Sequence, residues 1–251
     1  MAGLEGSRSG WPREEFVVSC EHASAHVPRT YRGLGLSGSA LESHAGWDKG
    51  AREVAREISG LLGCPRFEGK HSRLLIDLNR SLHHAKVIPR ESFGLPVPGN
   101  QTLSAEERRR RIERYYLPYR REVEAVLAEV IGSRGRAIHL SVHSFTGCLN
   151  GVTRNADIGL LYDPARRPEK EFAKLWSERL RAAGFRVRFN YPYSGRADGF
   201  TTSCRKKFDP AAYLGIELEV NQELTGALGG PGNVHRPRQI FAAIAGALPF
   251  E

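Results

Sequence analysis

An α/β sandwich with a mostly parallel central sheet is the fold class that this 251-residue sequence predicts. Three observations carry it. Short runs rich in Val, Ile and Leu alternate with longer amphipathic stretches, the order expected of strand–helix–strand units, and no segment repeats itself. Polar residues capable of chemistry recur where an apolar run ends, and in open α/β sheets that edge is where ligands bind. Composition agrees: 40% hydrophobic and 26% charged residues are ordinary for a globular chain, and this length buries a substantial core without disulfides.

The elements follow in chain order. Residues 1–13, rich in Gly and Ser ahead of Pro12, read as a disordered tail, and residues 14–251 as a single domain. A β-branched strand covers Phe16–Ser19 and runs into Cys20-Glu21-His22. Ser39–Leu62 reads as one helix, because Val54, Ala55, Ile58, Leu61 and Leu62 recur at helical spacing and Gly63 can stop it. In the stretch LLIDLNRSLHH (Leu74–His84) apolar residues precede Asp77, Asn79 and Arg80, so residues 73–78 read as a buried strand delivering its last side chains to an edge. Residues 85–103, with Pro89, Pro96 and Pro98, form a long irregular loop of the kind that binds ligands or covers sites. Ser104-Ala-Glu-Glu107 matches a capping box and opens a helix to about Ile131, which Pro118 should kink or split. Strands are expected at Ala137–His143, Ile158–Tyr162 and Leu214–Val220, with a helix at Pro168–Ala183 and a short strand at Phe185–Phe189 between the last two. Arg238–Leu248 closes the chain as an amphipathic helix, while Asn190–Phe208 and Asn221–His235 read as loops.

Several function classes drop out. No run approaches the roughly 20 apolar residues of a membrane span, and the N-terminus has no apolar core of a signal peptide, so a cytoplasmic protein is expected. Cysteines 20, 64, 148 and 204 are dispersed, without a C-x-x-C pair, and read as reduced thiols. The net charge of +9 invites a nucleic-acid reading. Against it, the arginines are scattered, and the densest run, Arg108–Arg111, continues into Glu113, Glu122 and Glu124 as a solvated helix would. A basic cleft for a small anionic substrate uses the same excess.

The candidate chemistry sits at the ends of the apolar runs. His22 and His143, on separate strand ends, match two ligands of a catalytic zinc site, which takes three protein ligands and keeps a fourth position open. The third ligand has three candidates. Asp48, in HAGWDKGA, is favoured; Glu21 should point to the opposite face from His22 if the strand continues, and His26 reaches only if 22–26 is helical. Glu217 and Glu219, in GIELEVNQ, are two apart and share one face of a strand, with Ile216, Leu218 and Val220 on the other. Two acids there need pairing or a role, and one can serve as general base. Arg80 offers a planar fork for a carboxylate, with Asn79 adding a hydrogen bond; the plainer alternative is an arginine that pairs with Asp77.

Seven ordered motifs, CEHASAHVP, GWDKGA, SRLLIDLNRS, HLSVHSF, RNADIGLLYD, NYPYSGRADGFT and YLGIELEVNQ, spanning about residues 15–245, resemble the N-formylglutamate amidohydrolase family. That family is similar in turn to the zinc carboxypeptidases and the succinylglutamate desuccinylase and aspartoacylase group. The resemblance implies a three-layer α/β/α sandwich with a mixed, mostly parallel sheet, phosphorylase/hydrolase-like. It implies one zinc ion per chain on His22, Asp48 and His143, and a substrate carboxylate held by Asn79 and Arg80. The general base falls on Glu219, since the position of Glu217 varies toward glutamine, and Arg154 is the candidate for a second carboxylate or the oxyanion. The expected reaction is hydrolysis of a small anionic amide such as N-formyl-L-glutamate, with another N-acyl amino acid or a small peptide as the alternative. Departures are visible too: the relatives take a carboxylate ligand three residues after the first histidine, where this chain has Ala25; SCEHAS stands where the histidine-degrading branch has DSPHSG; and Gly147 stands where proline is usual.

Overall fold

A computed structural model describes residues 10–226 and 235–251. The elements, in order, are β1 (Phe16–Cys20), α1 (Gly38–Leu41), α2 (Ala51–Leu62), β2 (Arg66–Glu68), β3 (Glu91–Ser92), β4 (Leu95–Pro96), α3 (Ala105–Arg111), α4 (Leu117–Arg134), β5 (Ala137–Phe145), β6 (Cys148–Leu149), β7 (Val152–Thr153), β8 (Ile158–Leu161), α5 (Arg167–Ala182), β9 (Val187–Phe189), α6 (Phe200–Lys207), β10 (Tyr213–Asn221) and α7 (His235–Gly246). Six strands form a mixed sheet in the order β2-β1-β5-β10-β8-β9. Every neighbouring pair is parallel except β10 with β8. The expected α/β fold with a mixed, mostly parallel sheet is therefore present, and β3–β4 and β6–β7 are separate two-stranded ribbons.

Helices cover both faces. On one, Val54 and Ile58 of α2, Phe172 and Trp176 of α5 and Ile244 of α7 pack on Val18, Leu140 and Leu218. On the other, Tyr119, Val123 and Leu127 of α4 and Phe200 and Cys204 of α6 pack on Val17, Ala137 and Tyr213. Each fully buried aliphatic or aromatic side chain adds about 1.5–3 kcal/mol. That second face changes character along the strands. Val17, Ala137 and Tyr213 give way to Ser19 and His139, then to Glu21, Ser141 and Glu217, then to His143 and Glu219. The register sets Glu217 beside Ser141 and Glu219 beside His143. A stripe of buried polar groups thus runs toward the carboxyl ends of the three central strands, and each group needs a partner or a role.

Several expectations are corrected. Gly10–Arg13, read as part of a disordered tail, are ordered: Trp11 packs in the core, bridges Phe250, and meets Phe172 edge-on at 4.9 Å, while residues 1–9 lie outside the described residues. The single helix at Ser39–Leu62 is two helices, α1 and α2, with a turn between them that carries Asp48. Residues 73–78 are not a strand. The chain coils through turns, with Leu75 N–H on Ser72 O, Asp77 N–H on Val87 O and Arg80 N–H on Asp77 O. Side chains take the remaining carbonyls: Asn100 Nδ2 binds Leu74 O, Arg111 Nη1 binds Leu75 O and Arg120 Nη1 binds Leu78 O. The neighbours Leu74 and Leu75 are buried in one cluster and Ile76 and Leu78 in another, whereas a strand would turn adjacent side chains to opposite faces.

Residues 200–207, placed in a loop, form α6, and the edge strand β2 was not anticipated. The capping box is present, with Ser104 Oγ accepting from Glu107 N–H at 3.1 Å. Pro118 is accommodated without a break by a π-helical turn at Ile112–Tyr116. All four cysteines are free thiols. The arginine-rich helix is internally paired, Arg111 with Glu107 at 2.9 Å and Arg110 with Glu107 at 3.4 Å. The expected loop at 221–235 falls largely outside the described residues.

Candidate active site

The polar stripe ends at a cavity of about 350 Å³ at the carboxyl ends of β1, β5 and β10. His22, Asp48, Asn79, Arg80, His143, Arg154 and Glu219, the residues singled out from the sequence, all line it.

His22, Asp48 and His143 are buried and each offers one ligand atom within 4.8 Å of the others. Both imidazole Nδ1 atoms converge on a single carboxylate oxygen, Asp48 Oδ2, His143 at 2.9 Å and His22 at 3.3 Å. The far nitrogens face acids as well: His22 Nε2 lies 2.7 Å from Asp77 Oδ1, and His143 Nε2 lies 3.2 Å from Glu21 Oε2. A carboxylate behind each histidine fixes the ring and raises its basicity, the usual support for a metal-ligating imidazole. The donor set, two imidazoles and a carboxylate on separate elements, fits a small divalent cation.

The two open alternatives for the third ligand are placed elsewhere. Glu21 follows the last residue of β1, where the chain has turned out of strand geometry, so it need not oppose His22 as an extended strand would require. Its carboxylate accepts from Ser141 Oγ at 2.6 Å and Tyr119 O–H at 3.0 Å and faces the side of His143 away from Asp48. His26 is exposed and packs against His71, with ring centroids 5.6 Å apart.

The electrostatics separate the roles. Burial drives His22 down to about 4, with Arg73 reinforcing and Asp77 opposing. Burial also disfavours charge on His143, but the Glu21 carboxylate outweighs it and lifts this imidazole to about 9. Asp77 is held well below the usual carboxylate range: burial opposes its charge, and His22, Arg73 and Arg80 outweigh it. Glu219 differs. Burial pushes it up to about 7, His143 partly offsets this, and Glu217 adds to it. Its Oε2 is buried without a hydrogen-bond partner among the described residues, whereas Glu217 accepts from Thr201 Oγ1 at 2.5 Å. Of the two acids on β10, Glu219 is the one with a buried oxygen that has no hydrogen-bond partner among the described residues. Gly159 on the neighbouring strand permits this packing: a Cβ there would stand 1.8 Å from Tyr191 O and 3.2 Å from Glu219 Cβ.

The cationic groups surround this centre. Arg80 Nη1 binds Asp198 O at 2.7 Å, and its Nε is 3.9 Å from Asp77, so the pairing considered for Asp77 is loose. Asn79 uses Oδ1 to cap α6 at Phe200 N–H, 2.7 Å away. Arg154 lies over the ring of Tyr193, 5.4 Å from its centroid. Arg73 was not singled out from the sequence. It is half-buried, its guanidinium holds Asp48 Oδ1, and its Nε has no partner among the described residues. The only hint was a cation directly before the apolar run Leu74–Ile76. Asp77, His44 and Phe93 also line the cavity without having been assigned a role.

Comparison with known proteins bears on the family and the fold. A crystal structure of gene product Atu2144 from Agrobacterium tumefaciens is 30% identical over 96% of this chain and 93% of that one, with a TM-score of 0.76. A crystal structure of an N-formylglutamate amidohydrolase from Ralstonia eutropha JMP134 shares the fold at 19% identity, covering 93% of each chain, with a TM-score of 0.68. No curated protein matches. The family model described as N-formylglutamate amidohydrolase matches residues 14–225. With that match over most of its length, and with the α/β fold to go with it, this chain belongs to the N-formylglutamate amidohydrolase family.

Proposed function

We propose that residues 14–251 form a zinc-dependent amidohydrolase domain that cleaves an N-acyl acidic amino acid, with N-formyl-L-glutamate, giving formate and L-glutamate, as the leading substrate. The observation that carries this reading is the convergence of His22 Nδ1, His143 Nδ1 and Asp48 beside the uncommitted carboxylate of Glu219.

In this reading His22, Asp48 and His143 hold one zinc ion. When bound, zinc supplies Lewis-acid polarisation and makes water acidic enough to attack near neutral pH. Glu219 accepts the proton that the attacking water loses and returns it to the leaving nitrogen as the carbon–nitrogen bond breaks. A carboxylate near pH 7 suits both transfers. Arg154 and Arg73 face the developing negative charge on the carbonyl oxygen. Asn79 Nδ2 and Arg80 orient the substrate carboxylate. Asp77 and Glu21 hold the two imidazoles in place.

A different N-acyl amino acid or a small peptide is the second reading, since the cavity is larger than a formyl group requires. The arginines of the densest cationic run are paired with glutamates, as on a solvated helix, which lends no support to a nucleic-acid role. A cytoplasmic location belongs to the same proposal. It is supported by the free cysteines and by the lack, among the described residues, of any helix long and apolar enough to cross a membrane.

The test is metal content together with formate release from N-formyl-L-glutamate, before and after chelation. About one zinc per chain and chelator-sensitive release are expected. Bound zinc without release moves the substrate to another acyl amino acid, and a protein that neither contains nor takes up metal contradicts the mechanism.

A further inference from the structure

An N-acyl amino acid brings one hydrogen-bond donor into the cavity that no residue has yet been given, the N–H of the amide to be cleaved. Buried without an acceptor, that donor costs free energy. Several oxygens on the cavity wall are already engaged. Asp48 is held by Arg73 and the two imidazoles, Asp77 Oδ1 accepts from Asn79 N–H at 2.9 Å and faces His22, and Glu219 is the proposed base.

Gln222 is placed differently. It follows β10 directly, is 5% exposed and lines the cavity. Its backbone is pinned: N–H donates to Phe145 O at 2.9 Å, and its carbonyl accepts from Thr225 N–H at 3.2 Å and Thr225 Oγ1 at 2.9 Å. Its side-chain Nε2 donates to Ser144 Oγ at 3.1 Å, and Ser144 Oγ donates to Lys49 O at 2.8 Å. This chain of bonds settles which way the carboxamide points. A hydroxyl has one hydrogen, and Ser144 gives it to Lys49, so Ser144 can only accept from Gln222, which must turn its nitrogen to Ser144 and its oxygen away. That oxygen, Oε1, accepts from none of the described residues. Ser144 follows His143 and Lys49 follows Asp48, so the carboxamide is tied to the frame that carries two of the proposed metal ligands.

Glu217 and Asp198 also line the cavity, but both are anions on the side of Asn79 and Arg80. Arg80 Nη1 binds Asp198 O, and a Cβ at Gly199 would stand 3.0 Å from Glu217 Oε1 and 3.4 Å from Asn79 Oδ1. An acidic substrate places its own carboxylate on that side, where a second anion repels it. A neutral acceptor beside His143 avoids this conflict.

We propose that Gln222 Oε1 accepts the N–H of the scissile amide, and that this contact selects amides over the corresponding esters. The proposal rests on the hydrolase reading above and deepens it by naming the bond class the site prefers. Gln222 gains and loses no proton. It holds the nitrogen in place while Glu219 delivers the proton that the attacking water lost and the carbon–nitrogen bond breaks.

The experiment compares N-formyl-L-glutamate with 2-formyloxyglutarate, the ester in which oxygen replaces the N–H, with rates corrected for spontaneous hydrolysis. The kcat/KM of both is read in the unaltered protein, in Gln222→Met and in Gln222→Glu. Equilibrium binding of both is read in Glu219→Gln, with and without Gln222→Met, where turnover does not consume the ligand. Gln222→Met keeps the length of the side chain and removes the acceptor, and it should lower the amide about tenfold or more relative to the ester, in kcat/KM and in binding alike. Gln222→Glu keeps an oxygen acceptor and should keep the amide-to-ester ratio, even as its added charge weakens both compounds. Metal content should be unchanged in both variants. A purely structural role for Gln222 would lower the two compounds equally, and that result overturns the contact, as does a ratio that survives Gln222→Met or an amide that binds Glu219→Gln no better than the ester. The two proposals fail separately. Hydrolysis of the amide without a Gln222-dependent ratio retains the hydrolase and removes the contact, whereas a Gln222-dependent ratio in binding with no hydrolysis by the unaltered protein does the reverse.

Discussion

His139 and His143 stand on the same face of β5, both buried, and their surroundings make different things of them. His139 is closed in. Its Nε2 lies 2.7 Å from Ser19 Oγ and its Nδ1 lies 2.8 Å from Tyr213 O–H, so both nitrogens are satisfied by neutral hydroxyls, and burial drives its pKa down to about 4. His143 has an acid on each side, Glu21 behind and Asp48 in front, and it reaches the cavity. Two further repeats of the strand pleat change a packing histidine into a candidate ligand. What decides this is which atoms lie opposite: hydroxyls complete a neutral ring, whereas converging carboxylates make a place for a cation.

The sharpest way to break the comparison is to remove each ring. His143→Ala should abolish stoichiometric metal binding and turnover with it, as read by elemental analysis and product release. His139→Ala should leave metal content near that of the unaltered protein and lower stability, by about 1–3 kcal/mol for each hydroxyl left unpaired. Metal loss in the second variant, or retention in the first, would merge the two regions. Next in size is Glu219→Gln. It should keep the metal while kcat falls by about 10²–10⁴-fold, the range for a lost general base; a kcat unchanged from the parent would take the base role away from Glu219.

Smaller again is Glu21→Gln, which leaves every cavity-facing atom in place and weakens the support behind His143. Metal affinity should drop about 10–100-fold in a competition titration. The smallest effect concerns stability. Folding raises Glu219 from an ordinary value of 4.5 to about 7. Between those limits the unfolded chain releases a proton that the folded chain keeps, so stability falls as the pH rises through the window. In metal-free protein, the Tm of Glu219→Gln relative to the parent should therefore be constant below about pH 4.5 and should climb by a few degrees toward pH 8. A flat difference across that range would mean that Glu219 is ionised in the folded protein well below pH 7.

Strand and helix character over β1, β5, β8, α5 and β10 was legible because the signal there is local. Apolar side chains at a spacing of two or about 3.6 report the element directly, and these strands bury both faces. The pairing of Glu217 and Glu219 on one face of β10 followed from the same periodicity. Placement at the carboxyl ends brought His22, His143 and Glu219 into view as candidates, Asn79 and Arg80 were reached through an expected strand that is a series of turns, and the family resemblance supplied the expected roles.

Other features depend on partners distant in the chain. Leu74–Leu78 has the composition of a strand but finds its hydrogen-bond partners in Val87, Asn100, Arg111 and Arg120, so it coils. The Thr-rich segment Phe200–Lys207 becomes a helix with Phe200 and Cys204 buried against α4 and its first N–H capped by Asn79, and neither contact shows in a local window. The convergence of His22, Asp48 and His143, the hold of Arg73 on Asp48 and the lone oxygen of Glu219 are likewise tertiary facts. By itself the sequence determined which residues are apolar enough to build the sheet and which polar residues lie at its ends. Only the folded chain decided which of those polar groups face one another, because hydrogen bonds and charge pairs act over a few ångströms of space, whatever the separation along the chain.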